Sequence, residues 1–273
     1  MYRYCAGIVT YQPDTERLRE CLESVVAQFD QVIIVDNASN NDDEIRTLVE
    51  PYNNVDLVIN SDNEGIARAF NKICNIAIQN GCEWILTLDQ DTAIPEDTLK
   101  RFTQYISDNN IAIICPAVYY EGWNKLVKGD DSADYVKACM TSGSFTRLSV
   151  WQDVGGFKEE YFIDFVDNEY CMRLNLAGYR ILRVNSCVMK HRLGDSDIKI
   201  PHHSPLRNYY MTRNYYLFIK EYAKHLPVCK ERIKLRFLIF QELWFNKDRR
   251  ETIRMIKRGL SDAKKGITGK FNE

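Results

Sequence analysis

The feature that most constrains the fold is an alternation of short apolar runs with amphipathic segments along the first third of the chain. Runs of strand type cover 4–11, 31–37, 55–60 and 84–88, and segments of helical period lie between them at 17–28, 43–49 and 66–79. These runs are apolar without strict alternation, which is typical of strands covered on both faces of a parallel sheet. The pattern predicts a doubly wound α/β sheet with right-handed crossovers.

Two carboxylates follow the last of these runs. The segment 84–88 leads directly into Asp89 and Asp91. Ligands bind at the carboxyl ends of the strands in such sheets, so both groups are placed to hold a hard cation and a phosphate-bearing ligand. A structural alternative is that Asp89 starts a turn and Asp91 caps the helix near Pro95. The spacing alone leaves both interpretations open.

The same edge of the predicted sheet carries other polar groups. Asp36 ends the second run, where it is placed to hydrogen-bond a bound base or to stabilise a turn. Thr10 and Tyr11 end the first run, and Tyr11 also fits a packing role. All three are therefore candidate contacts to a nucleotide.

A polar loop follows the third run. Gly65, with Asn63 and Arg68 around it, fits a loop whose backbone approaches a ligand, or a plain helix cap. Neither the G-x-G-x-x-G nor the G-x-x-x-x-G-K-[ST] fingerprint occurs, which disfavours hydride transfer and ordinary nucleoside triphosphate hydrolysis.

The second half of the body is less regular. The predicted elements are a strand at 111–120, a hairpin within 124–137, an extended segment at 140–146, helices at 148–154 and 167–177, and a strand at 181–189. Asp164, Asp167 and Glu169 lie at the start of the second helix, where one could serve as a general base or all could complement the helix dipole. His191 follows the last strand and is either a structural histidine or a metal ligand beside Asp91.

The C-terminal region is helical and basic. Residues 207–273 contain 17 Lys/Arg against 7 Asp/Glu, a balance of +10 in a chain of net charge −2. Arg213 lies in a tyrosine-rich segment, 209–216, that fits either a sugar diphosphate or an interhelical seam. Apolar residues form two further stripes, one of Ile233, Phe237, Phe240 and Trp244 and one of Ile253, Ile256 and Leu260. This charge balance predicts an anionic partner, either a membrane surface or a polyanion.

Cysteine usage predicts a reducing compartment. The nine cysteines are an odd number, contain no C-x-x-C pair and lie partly within apolar runs, so they are predicted to be reduced, buried thiols. The expected location is the cytoplasm.

The order and spacing of these residues resemble family 2 glycosyltransferases of the GT-A fold, and more narrowly the bacterial rhamnosyltransferases. The resemblance rests on Ile8-Val9-Thr10-Tyr11, Val35-Asp36-Asn37-Ala38-Ser39, Asn63-Glu64-Gly65-Ile66-Ala67, Leu88-Asp89-Gln90-Asp91, Ser142-Gly143-Ser144, Gly155-Gly156-Phe157, 162–169, Gly178-Tyr179, His191-Arg192-Leu193-Gly194, Arg207-Asn208-Tyr209-Tyr210 and Arg213-Asn214. The Leu-Asp-Gln-Asp form in particular resembles the rhamnosyl branch.

The resemblance implies an α/β fold of GT-A type, with a doubly wound mixed sheet, flanking helices and a C-terminal helical extension. It implies a glycosyltransferase domain over 1–205, with a nucleotide-binding half at about 1–115 and an acceptor-binding half at about 116–205, and a basic amphipathic helical region over 206–273 packed on the body. The implied reaction is an inverting, metal-dependent transfer of L-rhamnose from dTDP-L-rhamnose to a hydroxyl of a lipid-linked cell-surface polysaccharide precursor.

The resemblance also implies roles for the candidate residues. Nucleotide-sugar contacts are implied for Thr10, Tyr11, Asp36, Asn63, Gly65, Arg68, Asp89 and Arg213. Asp91 and His191 would hold Mg²⁺ or Mn²⁺, and Asp167 aligns with the catalytic base, with Glu169 in support. The family often has Glu-Asp where this chain has Val166-Asp167, so Asp164 stays open as the base.

Two alternatives remain: the same fold and mechanism with a UDP-hexose donor, and a non-catalytic sugar-nucleotide or glycan-binding module. The expected partners are the donor and a lipid-linked glycan, without nucleic acid. The basic tail fits peripheral contact with an anionic membrane at the inner face of the cell membrane. The apolar density of the C-terminal helices leaves a homodimer open.

Overall fold

The computed structural model describes residues 4–120, 130–191, 203–246 and 248–272, without the side chains of Tyr120, Lys190 and His191. Within this part of the chain the strands form one eight-stranded sheet. The strands are β1 (Tyr4–Thr10), β2 (Gln31–Asp36), β3 (Val55–Ile59), β4 (Trp84–Asp89), β5 (Ile111–Tyr120), β6 (Ala133–Val136), β7 (Ser144–Arg147) and β8 (Arg180–His191).

The spatial order of the strands is β3-β2-β1-β4-β7-β5-β8-β6. The first four strands are parallel, β7 is antiparallel to both β4 and β5, β5 and β8 are parallel, and β6 is antiparallel to β8. The predicted alternation and the mixed sheet are confirmed. Of the predicted hairpin at 124–137, residues 124–129 lie outside the described residues, and the remainder supplies β6.

Helices cover the sheet and extend beyond it. They are α1 (Thr15–Val26), α2 (Asp42–Val49), α3 (Ile66–Gln79), α4 (Thr98–Phe102), α5 (Leu148–Asp153), α6 (Val166–Leu176), α7 (Pro205–Glu221), α8 (Val228–Phe245) and α9 (Arg249–Lys265). None of the helices in the described ranges is both long enough and apolar enough to cross a bilayer.

The core lies on both faces of the sheet, which explains why the strands are apolar without alternation. Along β2, Ile33 and Val35 belong to one apolar cluster, and Val32 and Ile34 belong to the other. Both clusters consist of side chains that are almost fully buried. Packing therefore covers both faces of the sheet, and the ends of its strands are left free to contact ligands.

The C-terminal helices pack on this body and on one another. Gly259 of α9 lies against α7, where an added Cβ would be 2.6 Å from the Tyr209 carbonyl oxygen and 2.7 Å from Thr212 Oγ1. Only a glycine allows the two helix backbones to approach this closely.

One pair of cysteines departs from the sequence prediction. Cys5 of β1 and Cys82, just before β4, form a disulfide with their Cα atoms 6.2 Å apart. The prediction of reduced thiols is therefore wrong for this pair, because parallel pairing of β1 with β4 brings together residues that are far apart in sequence. The other seven cysteines are free.

Candidate active site

The candidate site is a cavity of about 670 Å³ at the carboxyl ends of β1 and β4. Its walls come from these strand ends, the loop before α3, the loop before α6 and the inner faces of α7 and α8. The polar side chains that line it include Tyr11, Asn37, Asn63, Asp89, Asp91, Asp164, Asp167, Asn168 and Arg207. This is the edge at which doubly wound sheets bind ligands.

The aspartates that follow β4 both line the cavity. Asp89 is half-buried, and its backbone N–H donates to Ser142 Oγ at 3.0 Å, whereas Asp91 is exposed. Burial raises the pKa of Asp89 to about 7, with further raising by the charges of Asp91 and Asp167 and partial lowering by Arg207. A cation placed among these carboxylates would relieve their mutual repulsion.

The donor set of this edge fits a hard divalent ion. Asp89 and Asp91 offer carboxylate oxygens, and Mg²⁺ is usually held by one or two carboxylates together with substrate phosphates. The described residues contain no group of three or more His, Cys, Asp or Glu side chains arranged to hold a metal. His191 ends β8, but its side chain lies outside the described residues, so its place as a ligand stays a prediction.

The loop before α6 has an unusual backbone. Phe162, Asp164 and Phe165 have φ values of +59°, +62° and +65°, in the left-handed region that side chains other than glycine rarely adopt. Each such residue costs about 1–3 kcal/mol and persists only where the surroundings enforce it. The loop places Asp164 and Asp167 in the wall of the cavity.

Helix α7 is one of the elements that enforce this conformation. Asn214 Nδ2 donates to the carbonyl oxygens of Tyr161 at 2.7 Å, Ile163 at 2.7 Å and Asp164 at 3.0 Å. Phe162 stacks on the ring of Tyr210 at 5.1 Å. The loop carbonyls are thus held by a buried amide that does not itself line the cavity.

Gly65 holds the loop from the other direction. It has φ +86°, and an added Cβ would be 2.5 Å from Phe162 Cδ2 and 2.7 Å from the Phe162 carbonyl oxygen. The next N–H, that of Ile66, donates to the same carbonyl at 2.7 Å. Gly65 lines the cavity, and its conformation is required by close contact with the strained loop.

The two aspartates of this loop differ in their partners. Asp164 pairs with Arg207 at 3.2 Å, although its Oδ2 is buried without a hydrogen-bond partner among the described residues. Asp167 Oδ1 accepts from the backbone N–H of Asn168 at 2.7 Å and from its side-chain amide at 2.9 Å. Burial raises the pKa of both carboxyl groups, and Arg207 opposes the rise at Asp164.

Four residues predicted to contact the nucleotide, Thr10, Asp36, Arg68 and Arg213, do not line the cavity. Thr10 Oγ1 donates to Asp36 Oδ1 at 2.7 Å, and Asp36 also accepts from the N–H of Ser39 at 2.8 Å, so both side chains are fully buried behind the wall. Asn37, one residue later, lines the cavity instead. Arg68 points outward and pairs with Glu64 at 3.7 Å and Glu159 at 3.8 Å.

Glu169 and Arg213 are also outside the cavity lining. Glu169 is buried in an ion pair with Arg173 at 2.7 Å and accepts from the Tyr222 hydroxyl at 2.5 Å. The Arg213 guanidinium is fully buried and donates to the carbonyl oxygen of Gly269 at 2.7 Å. The packing interpretation of the tyrosine-rich segment therefore describes Arg213 better than contact with a ligand.

Sequence reasoning missed Arg207 as a site residue. Among the described residues that line the cavity, it is the only cation. It lies in the first turn of α7, the next element after the strand that ends in His191, and this position could have indicated its role.

Comparison with known proteins identifies the family of the chain. Residues 5–167 match the model of the family described as Glycosyl transferase family 2. The chain is 28% identical over 288 aligned residues to the dTDP-rhamnosyl transferase RfbF of Shigella flexneri, covering 97% of this chain and 96% of that protein.

Solved structures show the same fold. S. aureus TarS 1-349 in complex with UDP-GlcNAc matches 97% of this chain and 81% of that chain, with a TM-score of 0.64 at 17% identity. GalNAc-T7 with UDP, GalNAc and Mn²⁺ matches 81% of this chain and 48% of that chain, with a TM-score of 0.65 at 13% identity. The predicted GT-A architecture is confirmed, and since the family model covers more than half of the sequence, the chain belongs to glycosyltransferase family 2.

Proposed function

We propose that this chain transfers L-rhamnose from dTDP-L-rhamnose, with inversion at the anomeric carbon, to a hydroxyl of a lipid-linked cell-surface polysaccharide precursor. Family membership supports the sugar transfer, and the full-length relative named as a dTDP-rhamnosyl transferase supports the donor. The position of the cavity at the carboxyl ends of the parallel strands supports nucleotide binding there.

The observation that carries the proposal is the charge of the cavity wall. Among the described residues, four carboxylates and one arginine line it. A nucleoside diphosphate adds negative charge, so its binding needs a compensating cation. We assign Asp89 and Asp91 to hold Mg²⁺ or Mn²⁺, and His191 stays a predicted ligand. When bound, the ion would stabilise the charge that develops on the departing diphosphate.

Asp167 is the proposed general base. Its raised pKa favours acceptance of a proton compared with an ordinary aspartate. The acceptor oxygen attacks the anomeric carbon and loses its proton to Asp167, while the bond from that carbon to the diphosphate oxygen breaks on the opposite face, which inverts the configuration. Asp164 is the alternative base, and its ion pair with Arg207 makes it the weaker choice.

The remaining predicted residues take direct or indirect roles in this proposal. Tyr11, Asn37 and Asn63 border the space assigned to the nucleoside. Thr10 and Asp36 support that wall from behind through their hydrogen bond. The division into a catalytic domain over 1–205 and a C-terminal region over 206–273 is also a proposal. In it, the C-terminal region supplies Arg207 to the cavity.

The proposal is tested by donor turnover. Purified protein is incubated with dTDP-L-rhamnose or UDP-glucose, with and without a lipid extract of the source cells, and release of the nucleoside diphosphate is measured. We expect turnover of dTDP-L-rhamnose that EDTA abolishes and Mg²⁺ or Mn²⁺ restores. Turnover of UDP-glucose alone would assign the other donor, and donor binding without turnover would favour the non-catalytic module.

The base is tested by a matched pair of variants. Asp167→Asn should lower kcat by about 10²–10⁴-fold while donor binding persists, because only proton transfer is removed. Asp164→Asn should have a smaller effect on kcat. The reverse ranking would move the base to Asp164.

A further inference from the structure

The outer face of α8 exposes a continuous apolar stripe. Ile233, Phe237, Phe240 and Trp244 are 65%, 59%, 58% and 62% exposed, and we call these four residues the α8 stripe. Their spacing of four, three and four residues places them along one face of the helix. The rings of Phe240 and Trp244 are 5.8 Å apart. Large apolar side chains that are contiguous and exposed mark a surface that contacts another apolar phase.

The charges on α8 are divided between its two faces. Its four basic residues, Lys230, Arg232, Lys234 and Arg236, are exposed. Its two acidic residues, Glu231 and Glu242, are buried and accept hydrogen bonds from the Tyr215 hydroxyl at 2.7 Å and from Asn208 Nδ2 at 3.0 Å. Lys234 is partly neutralised by an ion pair with Glu231 at 2.8 Å. The outer face therefore combines large apolar groups with cations and carries no exposed carboxylate of α8.

Basic residues continue beyond the C-terminal end of the stripe. Arg249 and Arg250, at the start of α9, are exposed, and Arg249 Nη2 donates to the Trp244 carbonyl oxygen at 3.2 Å. This contact places a further guanidinium at the end of the α8 stripe. Tryptophan beside arginine is the composition that peripheral helices present to the headgroup region of a bilayer.

Helix α9 does not offer a comparable surface. Ile256 is almost fully buried, Leu260 packs against the core and Met255 packs among the tyrosines of α7, so Ile253, at 39%, is the one exposed residue of the stripe of Ile253, Ile256 and Leu260. The apolar stripes of α8 and α9 look alike in sequence but lie in different surroundings. The stripe of α9 packs mainly against the protein, whereas that of α8 faces outward.

The α8 stripe lies one helix width from the candidate active site. Leu238, the neighbour of Phe237 in sequence, lines the cavity, and Leu235 is buried in the core. A flat surface docked on the outer face of α8 would therefore lie beside the cavity wall.

We propose that the outer face of α8 docks on an anionic phospholipid bilayer, with the α8 stripe inserted at the headgroup boundary and the surrounding cations on lipid phosphates. Charge complementarity selects this occupant, because a second copy of the chain would bring the same cations face to face. The proposal rests on the proposed function only for its purpose, which is to bring the cavity to a lipid-linked acceptor.

The test is sedimentation of the full chain with vesicles of phosphatidylglycerol and phosphatidylcholine, compared with phosphatidylcholine alone. We expect binding to the mixed vesicles and little to the neutral ones. Phe237→Ser combined with Trp244→Ser should lower the bound fraction about tenfold or more. The control pair Leu176→Ser and Ile267→Ser, also on exposed apolar residues, should leave it unchanged. A second pair, Arg232→Glu with Arg236→Glu, should lower it about tenfold.

The outcomes are distinct. Equal loss in the control pair, or retained binding in the α8 pair, would overturn the proposal. So would a dimer in light scattering that only the α8 pair dissociates, because the stripe would then be occupied by a second copy. Thermal melting confirms that each variant folds. Donor turnover in solution, measured on the same samples, reports on the proposed function separately and should not change in the α8 pair.

Discussion

Helices α7 and α8 are consecutive and similar in length, at 17 and 18 residues, yet α7 buries most of its side chains, polar and aromatic alike, whereas the four aromatic residues of α8 are exposed. Polar Asn208, Thr212, Arg213 and Asn214 are almost fully buried in α7. In α8 the aromatic residues of the α8 stripe are exposed instead. Hydrophobicity alone does not decide which side of a helix is buried.

Hydrogen bonds account for the α7 half of this comparison. A buried polar group costs little when it is paired, and two of these residues, Arg213 and Asn214, donate to carbonyl groups of the strained loop before α6. These two side chains of α7 therefore help to stabilise the strained backbone of that loop. The exposed stripe of α8 has no such internal use.

The largest effect expected from this comparison is on folding stability. Arg213→Met should lower the free energy of unfolding by about 3 kcal/mol, because several carbonyl groups lose a charged donor inside the protein. Arg232→Met, the matched arginine on the outer face of α8, should change it by less than about 0.5 kcal/mol. Urea unfolding measures both. Equal losses of unfolding free energy in the two variants would show that the buried hydrogen bonds of Arg213 do not stabilise the fold.

The next effect is on catalysis. Asn214→Ala removes the amide that holds the carbonyls of Tyr161, Ile163 and Asp164, so the loop should relax and Asp167 should move. We expect kcat to fall about 30-fold, or about 2 kcal/mol, with little change in the KM for donor.

A second α7 variant separates positioning from stability. Asn208→Ala removes a buried amide that donates to Glu242 at 3.0 Å and to the carbonyl oxygens of His203 and Ser204, and that has no hydrogen bond to the strained loop among the described residues. It should lower the melting temperature while kcat is retained. If both variants lose kcat equally, Asn214 acts through general stability and is not a positioning residue.

The positions of some site residues could be predicted from the sequence, and those of others could not. Asp89 and Asp91 could be placed in advance because a buried apolar run fixes where β4 ends, and Asp164 and Asp167 because the helix start is marked by its pattern. Arg213 could not, since tyrosines and an arginine at helical spacing fit a ligand site and a packing seam equally well. The left-handed backbone of Phe162 and Phe165 has no signal in a sequence without glycine.

Asp36 shows a related limit, at the level of single residues. The sequence correctly places it at the end of β2, but not the direction of its side chain, which depends on hydrogen bonds from Thr10 and Ser39. The neighbouring Asn37 lines the cavity in its place. The sequence also does not predict that the apolar stripe of α8 is exposed and that of α9 is mostly buried, because both segments are amphipathic and basic.

A smaller effect tests the contact between α7 and α9. Gly259→Ala would place a methyl group 2.6 Å from the Tyr209 carbonyl oxygen, so the helices must separate. We expect the free energy of unfolding to fall by about 1–2 kcal/mol, as for other overpacked sites. Gly266→Ala, where an added Cβ meets nothing within 4 Å but φ is +75°, tests backbone strain without steric contact. Crystal structures of the two variants would show helix separation only in the first.

The smallest effect is expected for the α8 stripe in solution. Phe237→Ala removes an aromatic ring that is 59% exposed, so the free energy of unfolding should change by less than about 0.5 kcal/mol. The same truncation of Phe70, which is fully buried under the sheet, should cost about 3–5 kcal/mol. Urea unfolding of the two variants side by side makes the measurement. A large loss for Phe237→Ala in the free protein would mean that the stripe is already covered, and the contrast between α7 and α8 would then disappear.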